Sequence, residues 1–420
     1  MDKLFVNGGI PLSGSVEISG AKNAVLPIMA ATVISPGEYI LRNVPNLRDT
    51  RTMARLLEII GAKVSHSKNI MEIDTRSCDN PVAPYELVKT MRASFDILGA
   101  LISRFDYAEV SLPGGCAWGP RPVNFHLDAL RKLGAKVDLN RGNIIASGKL
   151  VGTDIKFEFP SVGATKNAIT ASVKAKGKTV ISNAAREPEI DSLIDFLQLL
   201  GADIHGKGTR VITVNGKKDF VPGCEFTIIP DRIEAGTFLI AAGMIGGNIT
   251  LENVNPGHLA EVIAKLRATG ATINYTNDSI HITGSKKLKP IDITTAPYPG
   301  FPTDLQAQWM AMMTIAKGNC AIVDEIYHDR FTHIAELTRF GAQISLTSNR
   351  AQVTGVSALK GAPVMSTDIR ASASLLIGAL AAEGKSEISR VYHIDRGYEK
   401  IEEKFIGLGC DVTRVNEGYK

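Results

Sequence analysis

Six times along the chain an amphipathic stretch of helical period runs into a glycine and then directly into apolar–polar alternation. The stretches are LLEIIGAKV ending at Val64, LRKLGAKV at Val137, LQLLGADI at Ile204, LRATGATI at Ile273, LTRFGAQI at Ile344 and FIGLGCDV at Val412. Glycine enters the left-handed conformation that stops a helix without steric cost, so each pattern predicts a helix, a glycine C-cap and a strand. Gly61, Gly134, Gly201, Gly270, Gly341 and Gly409 recur every 67 to 73 residues. Alternating runs such as GNIIASG, RVITVNG, SIHITG and AQVTGV predict further strands, paired as hairpins.

A second helix is expected upstream in each unit, its start marked by a charged residue among small ones: Lys22, Arg92, Lys166, Glu234, Asp304 and Arg370. NAVLPIMAATVI and SASLLIGALAA are small or apolar nearly all round, which predicts buried helices. Each unit thus reads strand, helix, strand, helix, then strands. A unit of roughly 70 residues is too small to bury both faces of its sheet alone, so three should pack into one domain and six into two. The crossover is expected near Pro230, within VPGCEFTIIPDRIEAG. The first strand has no preceding helix and is expected to close the C-terminal sheet. The boundaries are then 22–229 for repeats 1–3, and 1–21 plus 230–420 for repeats 4–6.

Composition adds exclusions. With 44% hydrophobic and 21% charged residues the chain reads as an ordered globular protein. A net charge of +4 gives no mandate for nucleic acid. The start MDKLFVNGGIPLSG lacks a secretory pattern, and the most apolar stretches are too short to span a bilayer, so a cytoplasmic protein without membrane contact is expected. The five cysteines form no CxxC pair and the eight histidines no metal-binding spacing, so neither disulfides nor a metal nor a cofactor is expected.

The charged positions carry the chemistry. Arg48, Arg121, Arg186, Arg330 and Arg396 precede their unit's glycine by 11 to 15 residues, near the expected start of the second helix. A cation opposes the dipole there, whereas a helix N-terminus with a nearby arginine suits an anion. Lys22, Arg92, Arg121, Arg330, Arg370 and Arg396 are therefore candidate anion ligands, with Arg48 and Arg186 left as surface charges. Asp304, after the Gly-Pro loop of YPGFPTDLQAQ, is a candidate base; Glu234 in the equivalent place is read as structural. GADIHGKG lacks the Ser or Thr and the strand–helix context of a phosphate loop, and no GxGxxG opens a helix. In VSLPGGCAWGPRP the run before Pro113 can be a strand, but prolines and glycines preclude regular structure in the remainder and put Cys116 on an exposed loop beside Arg121.

GAKNAVLP, MRAS, PGGC, PSVGAT, AAREPEI, FPTDLQAQ, DRFTHIAEL, TDIRASAS and DRGYEKI follow one another along the whole chain. In this the sequence resembles the enolpyruvyl transferases, specifically those using a UDP-sugar. The resemblance implies an α/β fold of two inside-out domains, each of three βαβαββ units, with the active site in the interdomain cleft. It implies transfer of the enolpyruvyl group of phosphoenolpyruvate to the 3′-hydroxyl of UDP-N-acetylglucosamine with release of phosphate. Lys22 and Asn23 would hold phosphoenolpyruvate, with Arg121, Arg330, Arg370 and Arg396 around its phosphate and carboxylate. Arg92, the run Arg121, Pro122, Val123, Asn124 and Phe125, the turn Ser161, Val162 and Gly163, and Asp304 with Ile326 would contact the sugar nucleotide. Cys116 would be the general acid and fosfomycin target, Asp304 the base, and Lys22 and Arg396 would stabilise the intermediate. No nucleic acid or obligate protein partner is implied. Asn124, Phe125, Trp118 and Lys166 depart from the usual residues; a glutamate is frequent at the last. The shikimate-pathway enolpyruvyl transferase is the alternative enzyme, and a non-catalytic sugar-nucleotide-binding paralogue the alternative class.

Overall fold

A computed structural model describes residues 2–89, 91–112 and 123–416, and for Arg92 the backbone alone. Cys116, Trp118, Arg121 and Pro122 lie outside the described residues. The chain divides into two compact units, Met1–Ser19 with Pro230–Lys420, and Gly20–Ile229. Gly20 and Ala21 thus fall with the second unit, whereas the sequence reading grouped them with the first.

Among the described residues the strands form six four-stranded sheets with one plan. A strand pairs in parallel with the strand after the first helix, and that strand pairs antiparallel with the inner arm of a hairpin. In the third repeat, Asp154–Lys156 runs parallel to Lys178–Ser182, which pairs with Val211–Asn215, which pairs with Asp203–His205. All six repeat glycines have φ between 90° and 107°, so the glycine C-cap inferred from the sequence is present in each repeat.

The crossovers exchange two strands between repeats. Leu12–Glu17 pairs in parallel with Gly247–Glu252 of the fourth repeat, while Gly223–Thr227 pairs in parallel with Glu38–Arg42 of the first. Asp2–Asn7 completes the sixth repeat's sheet, lying between Lys385–Ser389 and Asp411–Asn416.

Each unit has its own core around three helices that are buried nearly all round. In Gly20–Ile229, helix Ile97–Phe105 packs against both Lys22–Ala31 and Val162–Ser172. In the other unit Arg232–Ile245, Gln306–Met313 and Ile369–Ala381 pack on one another. Apolar side chains all round a helix leave no face for water, which forces these helices inside and the sheets outside. No helix among the described residues is long and apolar enough to cross a membrane.

Candidate active site

In the unit of Pro230–Lys420 the chemistry gathers around Asp304. The Gly-Pro loop enters a 3₁₀ turn, Thr303–Leu305, that runs into helix Gln306–Met313. The Asp304 carboxylate does not cap this helix. Its Oδ1 accepts from Arg330 Nη1 at 2.8 Å and its Oδ2 from Arg370 Nη2 at 3.0 Å. Both guanidiniums are buried and the carboxylate is about a quarter exposed. Burial alone would raise the Asp304 carboxyl, but the Arg370 and Arg330 charges outweigh it and hold it far below the usual carboxylate range.

Supporting contacts hold this arrangement. Arg370 is the second residue of helix Ile369–Ala381, whose N-cap Asp368 accepts from the Arg370 and Ala371 N–H groups at 2.8 and 3.1 Å. The Arg370 guanidinium lies 5.4 Å from the Tyr398 ring centre, and the Tyr398 hydroxyl meets Thr237 Oγ1 at 2.9 Å and Gln308 Nε2 at 3.2 Å. Arg330 also donates to Thr303 Oγ1 at 3.1 Å, which donates to Asp324 Oδ2 at 2.8 Å. Asp324 Oδ1 accepts from the Ile326 and Tyr327 N–H groups at 3.0 and 2.9 Å, so one buried carboxylate couples the Asp304 turn to half-buried Ile326. Arg396 ends the 3₁₀ segment Val391–Arg396, two residues before Tyr398.

Two arginines depart from the expected placement. Arg330 lies three residues before helix His333–Arg339, and Arg396 five before Ile401–Gly407. Neither sits on a helix N-terminus, and each helix has only seven residues. Arg330 turns inward because the partly buried Asp304 carboxylate offsets its desolvation. Lys166 is likewise the fifth residue of helix Val162–Ser172 and not its start. Arg48 is exposed, and Arg186 Nε donates to the Gly208 carbonyl at 2.9 Å. Glu234 is fully buried and pairs with Lys404 Nζ at 2.8 Å and the Ser19 N–H at 2.7 Å.

In the unit Gly20–Ile229, Lys22 opens helix Lys22–Ala31, whose N-cap Ala21 offers no side-chain acceptor. Its ammonium lies 2.7 Å from Asp49 Oδ2, with both side chains nearly buried. Asn23 follows, half-buried. Arg92 opens the 3₁₀ segment Arg92–Asp96. Val123 is the N-cap of helix Asn124–Lys132; Asn124 is exposed and Phe125 half-buried against Phe157. Ser161 caps helix Val162–Ser172, accepting from the Ala164 N–H at 3.3 Å, and the Ser161–Gly163 turn is half-buried. Sequence reasoning missed Asp49 and Asp324. Asp49 stood beside Arg48 in NLRDT, where an acid in a helix's first turn reads as an ordinary dipole partner.

A sheet–helix repeat used six times around two helical cores defines a class. The solved enolpyruvyl transferase NikO from Streptomyces tendae shares the fold, with a TM-score of 0.89 at 24% identity over 99% of each chain. EPSP synthase from Acinetobacter baumannii shares it with a TM-score of 0.75 at 18% identity, over 99% of this chain and all of that one. The sequence model of EPSP synthase (3-phosphoshikimate 1-carboxyvinyltransferase) matches residues 6–405. UDP-N-acetylglucosamine 1-carboxyvinyltransferase of Thermodesulfovibrio yellowstonii is 50% identical over 99% of this chain and 100% of its own. The protein of the same name from Geotalea uraniireducens is 49% identical over the same shares. The chain belongs to the EPSP synthase family, and within it to the UDP-N-acetylglucosamine 1-carboxyvinyltransferases.

Proposed function

We propose that this chain transfers the enolpyruvyl group of phosphoenolpyruvate to the 3′-hydroxyl of UDP-N-acetylglucosamine and releases phosphate, in the cytoplasm, as an early step of peptidoglycan precursor synthesis. The observation that carries this reading is identity of about half over the whole chain with relatives of that name. Two small-molecule substrates suffice, with no cofactor.

In this reading the sugar oxygen attacks C2 of the enol while Cys116 gives its thiol proton to C3. The hydroxyl proton passes to Asp304. As the C–O bond of the resulting tetrahedral phospho-intermediate breaks, the proton held by Asp304 leaves with the phosphate, the freed carboxylate takes a proton from C3, and that proton restores the Cys116 thiol. Lys22, Asn23, Arg121, Arg330, Arg370 and Arg396 bind the phosphate and carboxylate and stabilise the intermediate electrostatically. Arg92, Arg121 to Phe125, Ser161 to Gly163, Asp304 and Ile326 bind the sugar nucleotide. The Asp304 pairing puts a condition on the first step. Facing two guanidiniums the carboxylate is a poor base. It becomes one when Arg330 and Arg370 turn their charge to the arriving phosphate and carboxylate.

A phosphate-release assay with phosphoenolpyruvate tests the reading, comparing UDP-N-acetylglucosamine with shikimate 3-phosphate as acceptor. Release with the sugar nucleotide, abolished by prior thiol alkylation and by Cys116→Ser, is expected. Release with shikimate 3-phosphate alone would overturn it, and tight sugar-nucleotide binding without release would make the chain a binding protein.

A further inference from the structure

A buried polar junction lies within the unit Gly20–Ile229, built from residues other than Lys22 and Asp49. Asp96 ends the 3₁₀ segment that Arg92 opens, and Lys166 projects from helix Val162–Ser172. Lys166 Nζ meets Asp96 Oδ2 at 3.0 Å, with both side chains at most a tenth exposed. The next residue, Asn167, extends the junction. Its Oδ1 accepts the Gly99 N–H at 2.8 Å, which fixes the amide so that Nδ2 faces the Phe95 carbonyl at 3.3 Å and His126 Nδ1 at 2.9 Å. An N–H aimed at Nδ1 leaves that nitrogen as the acceptor and puts the ring proton of a neutral His126 on Nε2. The His126 ring lies edge-on to Phe95 at 4.9 Å. Its other edge faces Gly163, where an added Cβ would sit 3.0 Å from Cε1 and 3.1 Å from Nε2.

Three segments therefore meet at one set of contacts: the Arg92 turn through Asp96 and Phe95, the start of helix Asn124–Lys132 through His126, and the Ser161–Gly163 turn through Lys166, Asn167 and the Gly163–His126 approach. A buried ion pair is weak evidence of stabilisation, because two desolvation penalties offset the attraction, but it fixes geometry. We propose that Asp96 and Lys166, together with Asn167 and His126, are positioning residues that set these three segments at the spacing a nucleoside diphosphate sugar requires. The inference rests on the reading above that the three segments touch the sugar nucleotide.

Steady-state kinetics of Lys166→Met, Asp96→Asn and the double variant test it on the full chain, with both substrates varied. Each single variant is expected to raise KM for UDP-N-acetylglucosamine roughly tenfold or more while leaving KM for phosphoenolpyruvate nearly unchanged, since misplacement of a binding group is costly. The double variant should be no worse than the singles, because the pair acts as a unit. Lys174→Met serves as a control for the loss of a half-buried cation, Lys174 Nζ donating to the Ile34 carbonyl at 2.6 Å; it should leave both KM values unchanged. A fall in melting temperature with both KM values unchanged would reduce the junction to a structural feature and overturn the proposal. So would an effect of Lys166→Met without one of Asp96→Asn, which would make Lys166 a direct ligand of the diphosphate. If Lys166→Met does not fold, near-isosteric Asp96→Asn alone decides. Wild-type turnover is measured first: its absence sinks the functional reading, whereas turnover with indifferent variants sinks only this one.

Discussion

Asp304 is strongly held as an anion, yet its proposed task is to take up a proton. The ion pairs resolve the conflict only if they are exchanged during turnover. Asp304→Asn keeps the shape but leaves Arg330 and Arg370 facing a neutral amide. It should lower kcat by orders of magnitude and sugar-nucleotide affinity, measured by calorimetry, far less; a loss confined to affinity would make Asp304 a binding group only. The same substitution should lower stability at pH 7 by about 3 kcal/mol, because it strands two buried guanidiniums; the urea midpoint reads this. That stability is complete above the ordinary carboxyl range near pH 4, and is lost only as pH falls toward the depressed folded value.

His333 makes the opposite case among single residues. It is fully buried near Phe331, and burial, reinforced by Arg330, pushes its imidazole down to about 3. The unfolded chain takes up a proton near pH 6.5 that the folded chain refuses. Stability is therefore full above pH 6.5 and falls by about 1.4 kcal/mol per pH unit between there and pH 3. His333→Phe should flatten this limb of a plot of unfolding free energy against pH. An unchanged acid limb would show that His333 does not carry it.

Among the elements, the buried helices differ in how closely they approach their neighbours. A Cβ on Gly99 would come within 2.7 Å of the Asn167 backbone oxygen, so Gly99→Ala must part helices Ile97–Phe105 and Val162–Ser172. A loss of about 1–3 kcal/mol is expected. Gly378, in helix Ile369–Ala381, would place its Cβ no closer than 3.4 Å to the Phe340 ring. Gly378→Ala should be neutral or stabilise by up to about 1 kcal/mol through helix propensity. Equal urea midpoints for the two variants would contradict this contrast. The helices, their glycine caps and the hairpins were legible because period and left-handed geometry are local. The helix-start markers were legible for Lys22, Glu234 and Arg370, which do lie in first turns. The Asp304 pairs, the Asp324 bridge and the Lys166–Asp96 junction were not legible. They join residues 21 to 70 positions apart, in different repeats or at opposite ends of one. Arg330 shows why spacing misleads here. Its position relative to the glycine is regular, but its direction is set by a carboxylate from a loop 26 residues earlier.

At the scale of the whole chain, sequence order and structural unit disagree at the N-terminus. Asp2–Asn7 is an inner strand of the sixth repeat's sheet, paired on both sides, and Leu12–Glu17 is an edge strand of the fourth. Ser19 and Glu17 also receive hydrogen bonds from Lys404, beside the buried Glu234. A chain of Pro230–Lys420 alone would lose an inner strand, leaving Lys385–Ser389 and Asp411–Asn416 with unpaired backbone groups and the apolar Leu4 and Val6 sites empty. It should show no cooperative urea transition. Asp2 lies opposite Asn416 in an antiparallel pair, so the two chain ends already stand as the arms of a hairpin do. Joining Lys420 to Met1 and beginning the chain at Pro230 makes the unit contiguous with no strand displaced. That permuted chain of Pro230–Lys420 followed by Met1–Ser19 should regain strand circular dichroism and a single cooperative transition, as domains with neighbouring termini tolerate permutation. A cooperative transition in Pro230–Lys420 without the N-terminal strands would show that they are accessory to this unit.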